Sequence, residues 1–394
     1  MPDGQTLALV ESPAQLLHAL EYAAAWLPPD RAEPLPTASR QANLTPGSQL
    51  AKTKLEHPSP VHPLKLDSLR IAVLAPNRSS DRHQILALST LLNQLAGAAS
   101  PAGNRAIDWY DARRSVPRMI GAVTRLASQA GDQPLVGDPF SGLIQAILAV
   151  SPNSRPVIID DGSATIEFLR RLAAHASLIR PASRRSGSRR LLGDWLGRHT
   201  SAVLTGGPPV KVFSVMPLAQ IPELAEDLAD LIHLTGHNYD WLKTTFPHPV
   251  LHAGLDLIGS SLTQTGVIKP QAYLAGLTAA ARQATGPVRY LAHRRESDAG
   301  LALIAQRTGA QIVRPALPAE LELRRGGLAS QIMTLPTSTA FTLPLALSDL
   351  PVAVHLIRPE PDWIASDAPA RSVSFLAQLD QLAAARLNAR PMGS

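Results

Sequence analysis

The chain has 394 residues, 45% of them hydrophobic, enough for two globular domains each with a core of its own. It contains no cysteine, which excludes a disulfide framework, a thiolate metal site and a cysteine nucleophile. A net charge of +6 admits an anionic partner such as a nucleotide, an acidic glycan, an anionic membrane or nucleic acid, although an arginine-rich composition alone accounts for the sign.

The opening MPDGQTLALVESPAQLLHAL has no basic stretch before its short apolar run and no signal cleavage pattern. It reads as a strand, Leu7 to Val10, and a helix running to Trp26, capped by Ser12 with Pro13 at its first position. No apolar stretch reaches the ~20 residues that a membrane span requires, and a cytoplasmic location is the expectation. Residues 28–66 are rich in Pro, Ser, Thr and His without an apolar period and read as a flexible insertion or lid.

Strands and helices then alternate. Strands are expected at Arg70 to Leu74, Ala106 to Trp109, Pro134 to Val136 and Val157 to Ile159. Helices are expected over Asp81 to Leu95, Ser115 to Ser128, Ser141 to Val150 and Ala164 to His175. This order predicts a parallel, Rossmann-like sheet for an N-terminal domain of residues 1–200. Its last stretch, Arg180 to Arg198, reads as a basic loop and a short helix carrying Leu191, Leu192, Trp195 and Leu196. That is either a solvated surface or a docking element for an anionic membrane or acidic glycan.

A second Rossmann-like domain is expected over residues 205–370. Its strands are Val210 to Val215, Val250 to Ile258, Val288 to Ala292, Gln311 to Arg314 and Gln331 to Leu335. Its helices are Pro222 to Leu234, Pro270 to Gln283, Ser297 to Thr308, Ala319 to Arg325 and one opened by Ser338. Residues 371–394 form a C-terminal helix, from about Ser372 to Leu387, and a tail.

Three polar islands follow apolar strands, where open α/β sheets bind ligands. Asp160-Asp161-Gly162-Ser163 offers a carboxylate base next to a sharp turn. His293-Arg294-Arg295-Glu296 offers an imidazole beside guanidinium groups, suited to a phosphate. Ser338-Thr339 stands at a helix start, a natural anion site. Each alone is explained by helix capping or surface hydrogen bonding; together they suit moving a group from a phosphate ester to an alcohol.

The ordered set resembles the bacterial CMP-sialic acid-dependent sialyltransferases and polysialyltransferases, which share an acidic pair followed by Gly, a His-Pro pair and a Ser-Ser or Ser-Thr pair. The likeness extends to Val10 to Pro13, Gln15 to Leu17, Val136 to Asp138, Leu257 to Ser260, Gly266 to Ile268, Tyr273, Tyr290 to Glu296 and Pro318 to Glu320. Where the family has proline this chain has Arg294, so the rigid turn after His293 is lost.

The resemblance implies a GT-B fold, two Rossmann-like domains facing a central cleft, and a metal-independent, inverting glycosyltransferase without a cofactor. One of Asp160 and Asp161 would be the base, with Asp161 the first choice, and His293 would stabilise or protonate the CMP phosphate. Ser338, Thr339 and Arg294 would hold that phosphate, Glu320 the ribose hydroxyls, and Gly259 and Ser260 would lie beside the nucleotide. The implied partners are a CMP-sugar donor and a glycan or glycolipid acceptor; the alternative reading of the basic stretch Arg180 to Arg198 adds peripheral contact with an anionic membrane, at the inner face of the cell membrane. Other readings are a GT-B transferase using CMP-Kdo, a CMP-activated legionaminic or pseudaminic acid or a UDP-sugar, and a non-catalytic polyanion- or glycan-binding protein. Aromatics at 4% argue against a nucleic-acid partner.

Overall fold

The structure, a computed structural model, describes residues 5–27, 68–96, 107–151, 153–179, 188–221, 228 and 230–388. The segment expected as an insertion or lid, 28–66, and the basic loop at 180–187 lie outside the described residues.

The first sheet contains β1 (Thr6–Val10), β2 (Leu69–Leu74), β3 (Ile107–Tyr110), β4 (Leu135–Val136), β5 (Val157–Ile159), β6 (Val210–Phe213) and β7 (Ile232–Thr235), in the order β3-β2-β1-β4-β5-β6-β7. All its pairs are parallel. Parallel strands are covered on both faces, which is why the central ones are continuous apolar runs such as Val157-Ile158-Ile159. Along β1, Ala8 and Val10 pack with Leu16, Leu20 and Ile85 of α1 (Pro13–Trp26) and α2 (Ser79–Ala96). The alternate residues Leu7 and Leu9 turn to the other face. There they meet α3 (Val116–Ala127), α4 (Gly142–Ala149), α5 (Ser163–Ala173) and α6 (Ser188–Thr205).

After a short helix α7 (Asp240–Thr245) comes the second sheet, β8 (Leu251–Ile258), β9 (Val288–Leu291), β10 (Gln311–Val313), β11 (Leu328–Thr334) and β12 (Ala353–Leu356), ordered β10-β9-β8-β11-β12. Its pairs are parallel as well. Its helices are α8 (Pro270–Arg282), α9 (Asp298–Thr308), α10 (Ala319–Gly326) and α11 (Thr339–Ala346). Buried Asp256 ties it together, taking two 2.7 Å bonds from Arg289 and one from the amide of Ala329. The last helix, α12 (Ala370–Asn388), returns to the first domain, placing Leu379, Leu382 and Ala383 in its core.

Three expectations change. The strands β6 and β7 extend the first sheet beyond β5, so the first domain reaches past residue 200 to Thr235. The helix expected to end at Leu234 gives way to β7, whose Ile232 and Leu234 are buried and whose His233 lies between them half-buried; residues 222–227 lie outside the described set. The edge strand β12 and helix α7 are additions to the expected elements.

The domains meet through a shared apolar cluster, in which Leu17 and Leu20 of α1 join Leu321 of α10 and Leu343 of α11. Polar ties supplement it. The Glu21 carboxylate accepts from the amides of Trp241 and Leu242 at 3.0 Å, stopping the orphan donors at the start of α7. Gln84 Nε2 donates to the carbonyl of Pro315 at 3.1 Å. Both sheets reverse strand direction of progress at their middle, between β1 and β4 and between β8 and β11, and there the carboxyl edges open toward each other.

Candidate active site

A cleft of about 990 Å³, including its open mouth, lies between the two carboxyl edges. Asp161 and Gly162 line it from the first domain; Gly259, His293, Arg294, Glu320, Ser338 and Thr339 line it from the second. Residues from distant parts of the chain are thus brought to one space, because each follows a strand or opens a helix at the same edge. Asp160 and Ser260 do not line it.

The two adjacent aspartates have different environments. Asp160 is fully buried: Oδ1 accepts from Thr165 Oγ1 at 2.7 Å, and Oδ2 from Ser214 Oγ at 2.8 Å and the Val215 amide at 3.0 Å. These bonds join β5, α5 and the end of β6, a structural duty that leaves the carboxylate turned away from the cleft. Asp161 is half-buried on the cleft wall and takes a 3.3 Å bond from Ser12 Oγ. Gly162 then turns the chain with φ 63° and ψ −131°, a conformation open to glycine.

His293 is built on a buried polar platform. Glu296 Oε2 accepts from the His293 amide at 2.7 Å, and Glu296 Oε1 from the Tyr290 hydroxyl at 2.7 Å, which in turn meets the Tyr273 hydroxyl at 2.7 Å. Burial pushes the Glu296 carboxyl up to about 7. The same turn explains Gly259: a Cβ there would stand 2.6 Å from the His293 amide nitrogen and 2.5 Å from Glu296 Oε2. The glycine makes room for the His293 turn and also lines the cleft. Buried Ser260 is held behind, its Oγ accepting from the Leu262 amide at 3.4 Å.

The imidazole itself is neutral. Burial, with Arg294, Arg295 and Arg78 nearby, lowers its pKa to about 3. Its Nδ1 accepts from the Arg295 amide at 3.2 Å, which assigns the proton to Nε2 and makes that atom a hydrogen-bond donor. Arg294, by contrast, is engaged across the domains: its Nε lies 2.6 Å from Asp81 Oδ1 on α2. The ion pair does not have hydrogen-bond alignment, so it acts as a charge contact that fastens the His293 turn to the first domain.

At the start of α11, Ser338 is in helical conformation and makes no capping bond with its side chain. Capping therefore does not account for its hydroxyl. Thr339 Oγ1 is shared with Thr334 at 2.7 Å and Thr337 at 2.9 Å, which holds the helix start against the end of β11. Glu320 accepts a hydrogen bond from Thr342 Oγ1, aligning the carboxylate along the cleft floor.

Some cleft residues, His18, Tyr239 and Thr342 among them, have no counterpart among the sequence expectations. His18 of α1 is buried and lines the cleft beside Tyr239 and Thr342. The Tyr239 amide donates to His237 Nδ1 at 3.3 Å, so His237 Nε2 carries a proton and donates it to His18 Nδ1 at 2.9 Å. His18 Nε2 is consequently protonated. Burial lowers the pKa of His18 and lowers that of His237 strongly, so this relay is uncharged. The only signal for it in the sequence would have been histidine on the buried stripe of an amphipathic helix, where a core role is the ordinary explanation.

Among the described residues no group of three or more His, Asp or Glu side chains converges as a metal site would. What the cleft offers is a carboxylate on one wall and, opposite, neutral N–H and O–H donors at a helix start with arginines behind them. Such a pair of walls can accept a proton on one side and hold a developing anion on the other.

No protein-family model matches the chain, and no curated protein sequence does. Solved structures similar to it include the α/β-galactoside α-2,3-sialyltransferase of Photobacterium phosphoreum, at 12% identity and TM-score 0.43 over 79% of this chain and 87% of that one. A 2,6-sialyltransferase of Photobacterium sp. JT-ISH-224, in complex with CMP and lactose, is similar at 10% identity and TM-score 0.46, over 96% and 76%. The GT-B domain of a Photobacterium damselae sialyltransferase is similar at 12% identity and TM-score 0.45, over 96% of each chain. The two parallel-sheet domains of the present chain, meeting edge to edge across one cleft, have the GT-B architecture.

Proposed function

We propose that this protein is a glycosyltransferase that moves a sialic acid, or a related nonulosonic acid, from a CMP-sugar to a hydroxyl of a glycan or glycolipid acceptor. The observation that carries this reading is the convergence in one cleft of Asp161 from one domain with His293 and Ser338 from the other. Asp161 takes the proton of the acceptor hydroxyl as its oxygen bonds to the anomeric carbon. The bond from that carbon to the phosphate oxygen breaks, and its electron pair leaves with CMP.

The charge that develops on the phosphate is met by His293 Nε2–H, the Ser338 hydroxyl and the start of α11. Each well-placed donor of this kind is worth about 3 kcal/mol in the transition state. Glu320 takes the ribose hydroxyls, and His18 donates to an oxygen of the sugar between the two walls. Base and leaving group stand on opposite walls, so the sugar carbon inverts. Arg294 acts through its contact with Asp81, keeping the His293 turn against the first domain.

A panel of CMP-sialic acid, CMP-Kdo, CMP-activated legionaminic and pseudaminic acids and UDP-sugars, offered with oligosaccharide acceptors, tests the reading. Transfer from a CMP-nonulosonic acid is expected. Transfer from UDP-sugars alone would overturn the donor, and salt-sensitive polyanion binding without any hydrolysis or transfer would overturn catalysis.

A further inference from the structure

We propose that one face of the first domain docks on an anionic lipid bilayer through the N-terminal halves of α3 and α6. In α3, Val116, Met119 and Ile120 occupy positions i, i+3 and i+4, a single stripe, and are 63%, 40% and 58% exposed. The chain is exposed at every residue from 113 to 121, so this end of the helix stands clear of the domain body. In α6, Leu191, Leu192 and Trp195 are 71%, 57% and 54% exposed. Trp195 stacks on His199 one turn later, with ring centroids 5.3 Å apart and 9° between planes, which keeps the indole on the outer side of the helix.

The two stripes belong to one surface. Helix α4 packs against both α3 and α6, placing all three on the same face of the sheet. Helix α3 leaves the carboxyl edge after β3, and α6 ends five residues before β6 begins at the opposite edge, so both N-terminal halves lie at the carboxyl edge. That is the edge at which Asp161 stands.

Charge selects the occupant. Helix α3 has two arginines and no acidic residue and is preceded by exposed Arg114, while α6 has three arginines and one aspartate. Exposed aliphatic residues and tryptophan flanked by arginine have the composition of a helix that lies in a bilayer interface, the apolar side in the acyl boundary and the cations on anionic headgroups. A second copy of this chain would set arginine against arginine. No helix among the described residues is long and apolar enough to cross a membrane, so the contact is peripheral. It places a bilayer beside the acceptor wall of the cleft, and the docking stands whether or not the cleft transfers a nonulosonic acid.

The experiment is flotation of the full chain with vesicles of phosphatidylglycerol and phosphatidylcholine, against vesicles of phosphatidylcholine alone. The variants are Met119→Glu with Ile120→Glu, Leu191→Glu with Trp195→Glu, and Leu303→Glu on α9 as a control for charge added elsewhere. Binding to the anionic vesicles is expected, with a fall of about tenfold in each of the two double variants, none in the control, and unchanged thermal midpoints. Absence of binding to anionic vesicles, or equal binding by the double variants, overturns the proposal. So does sedimentation showing a dimer in the absence of lipid that the double variants dissociate, which would assign the face to a second copy.

Discussion

Gly162 and Ser338, from opposite domains, touch across the floor of the cleft: a Cβ on Gly162 would lie 3.0 Å from Ser338 Cβ and 3.3 Å from its Oγ. The turn that presents Asp161 is therefore seated directly on the start of α11. Gly162→Ala introduces both a wedge at this contact and a side chain at φ 63°, a strain of about 1–3 kcal/mol. We expect the thermal midpoint to fall by several degrees and CMP binding, measured by calorimetry, to weaken, because the wedge displaces Ser338. An alanine variant with wild-type CMP affinity would show that the contact does not set the phosphate site.

His293 titrates far below neutrality, near 3, against an ordinary value of about 6.5. The folded state prefers the neutral ring, so this histidine opposes folding increasingly as pH falls from 6.5 toward 3, and its contribution is constant above that window. Two-dimensional NMR of the imidazole should show no titration of His293 between pH 5 and 9 in the ligand-free protein, with Nε2 protonated throughout. A midpoint near 6.5 would contradict the burial and arginine field described.

Glu296 has the opposite sign. Its carboxyl is raised to about 7 by burial, so the stabilising protonated form is complete below about 4.5 and its contribution is lost as pH rises through 7. Glu296→Gln keeps the shape and removes the titration. Melting curves taken from pH 5 to 9 should show the variant gaining on the wild type between pH 5 and 7, with the difference constant above about 7. Parallel curves would mean that Glu296 does not titrate in this range.

His18 has its ring fixed by His237 and presents Nε2–H to the cleft. His18→Asn should leave the fold intact and lower kcat/KM by about 10- to 100-fold, with Kd for CMP alone unchanged, since its partner is on the transferred sugar. A parallel loss of CMP affinity would move the contact to the nucleotide, and unchanged kinetics would make His18 a core residue only.

The alternation of strands and helices could be read because each parallel strand is a short continuous apolar run ended by polar residues, and the same punctuation exposed Asp161, His293 and Ser338. What could not be read depended on contacts between distant segments. Which aspartate turns inward is decided by Ser214 and Val215, more than fifty residues away, where the sequence shows two equal carboxylates. The relay of His18 and His237 spans 219 positions. The stretch PELAEDLADLIHL has helical apolar spacing, and the four-residue β7 at its end is visible only through its pairing with β6. Gly259 was placed beside the nucleotide by resemblance, but its packing against the His293 turn was not legible.

The separation of the two aspartates gives the most direct test of the whole account: single-turnover transfer from a CMP-nonulosonic acid by Asp161→Asn and Asp160→Asn, with CMP affinity and thermal midpoint measured on each. We predict that Asp161→Asn keeps its midpoint and its CMP affinity while the chemical step slows by about 10²- to 10⁴-fold. Asp160→Asn should lose stability, because an amide cannot accept all three of the bonds that tie β5 to α5 and β6. Near-normal transfer by Asp161→Asn would contradict the assignment of the base and, with it, the central claim.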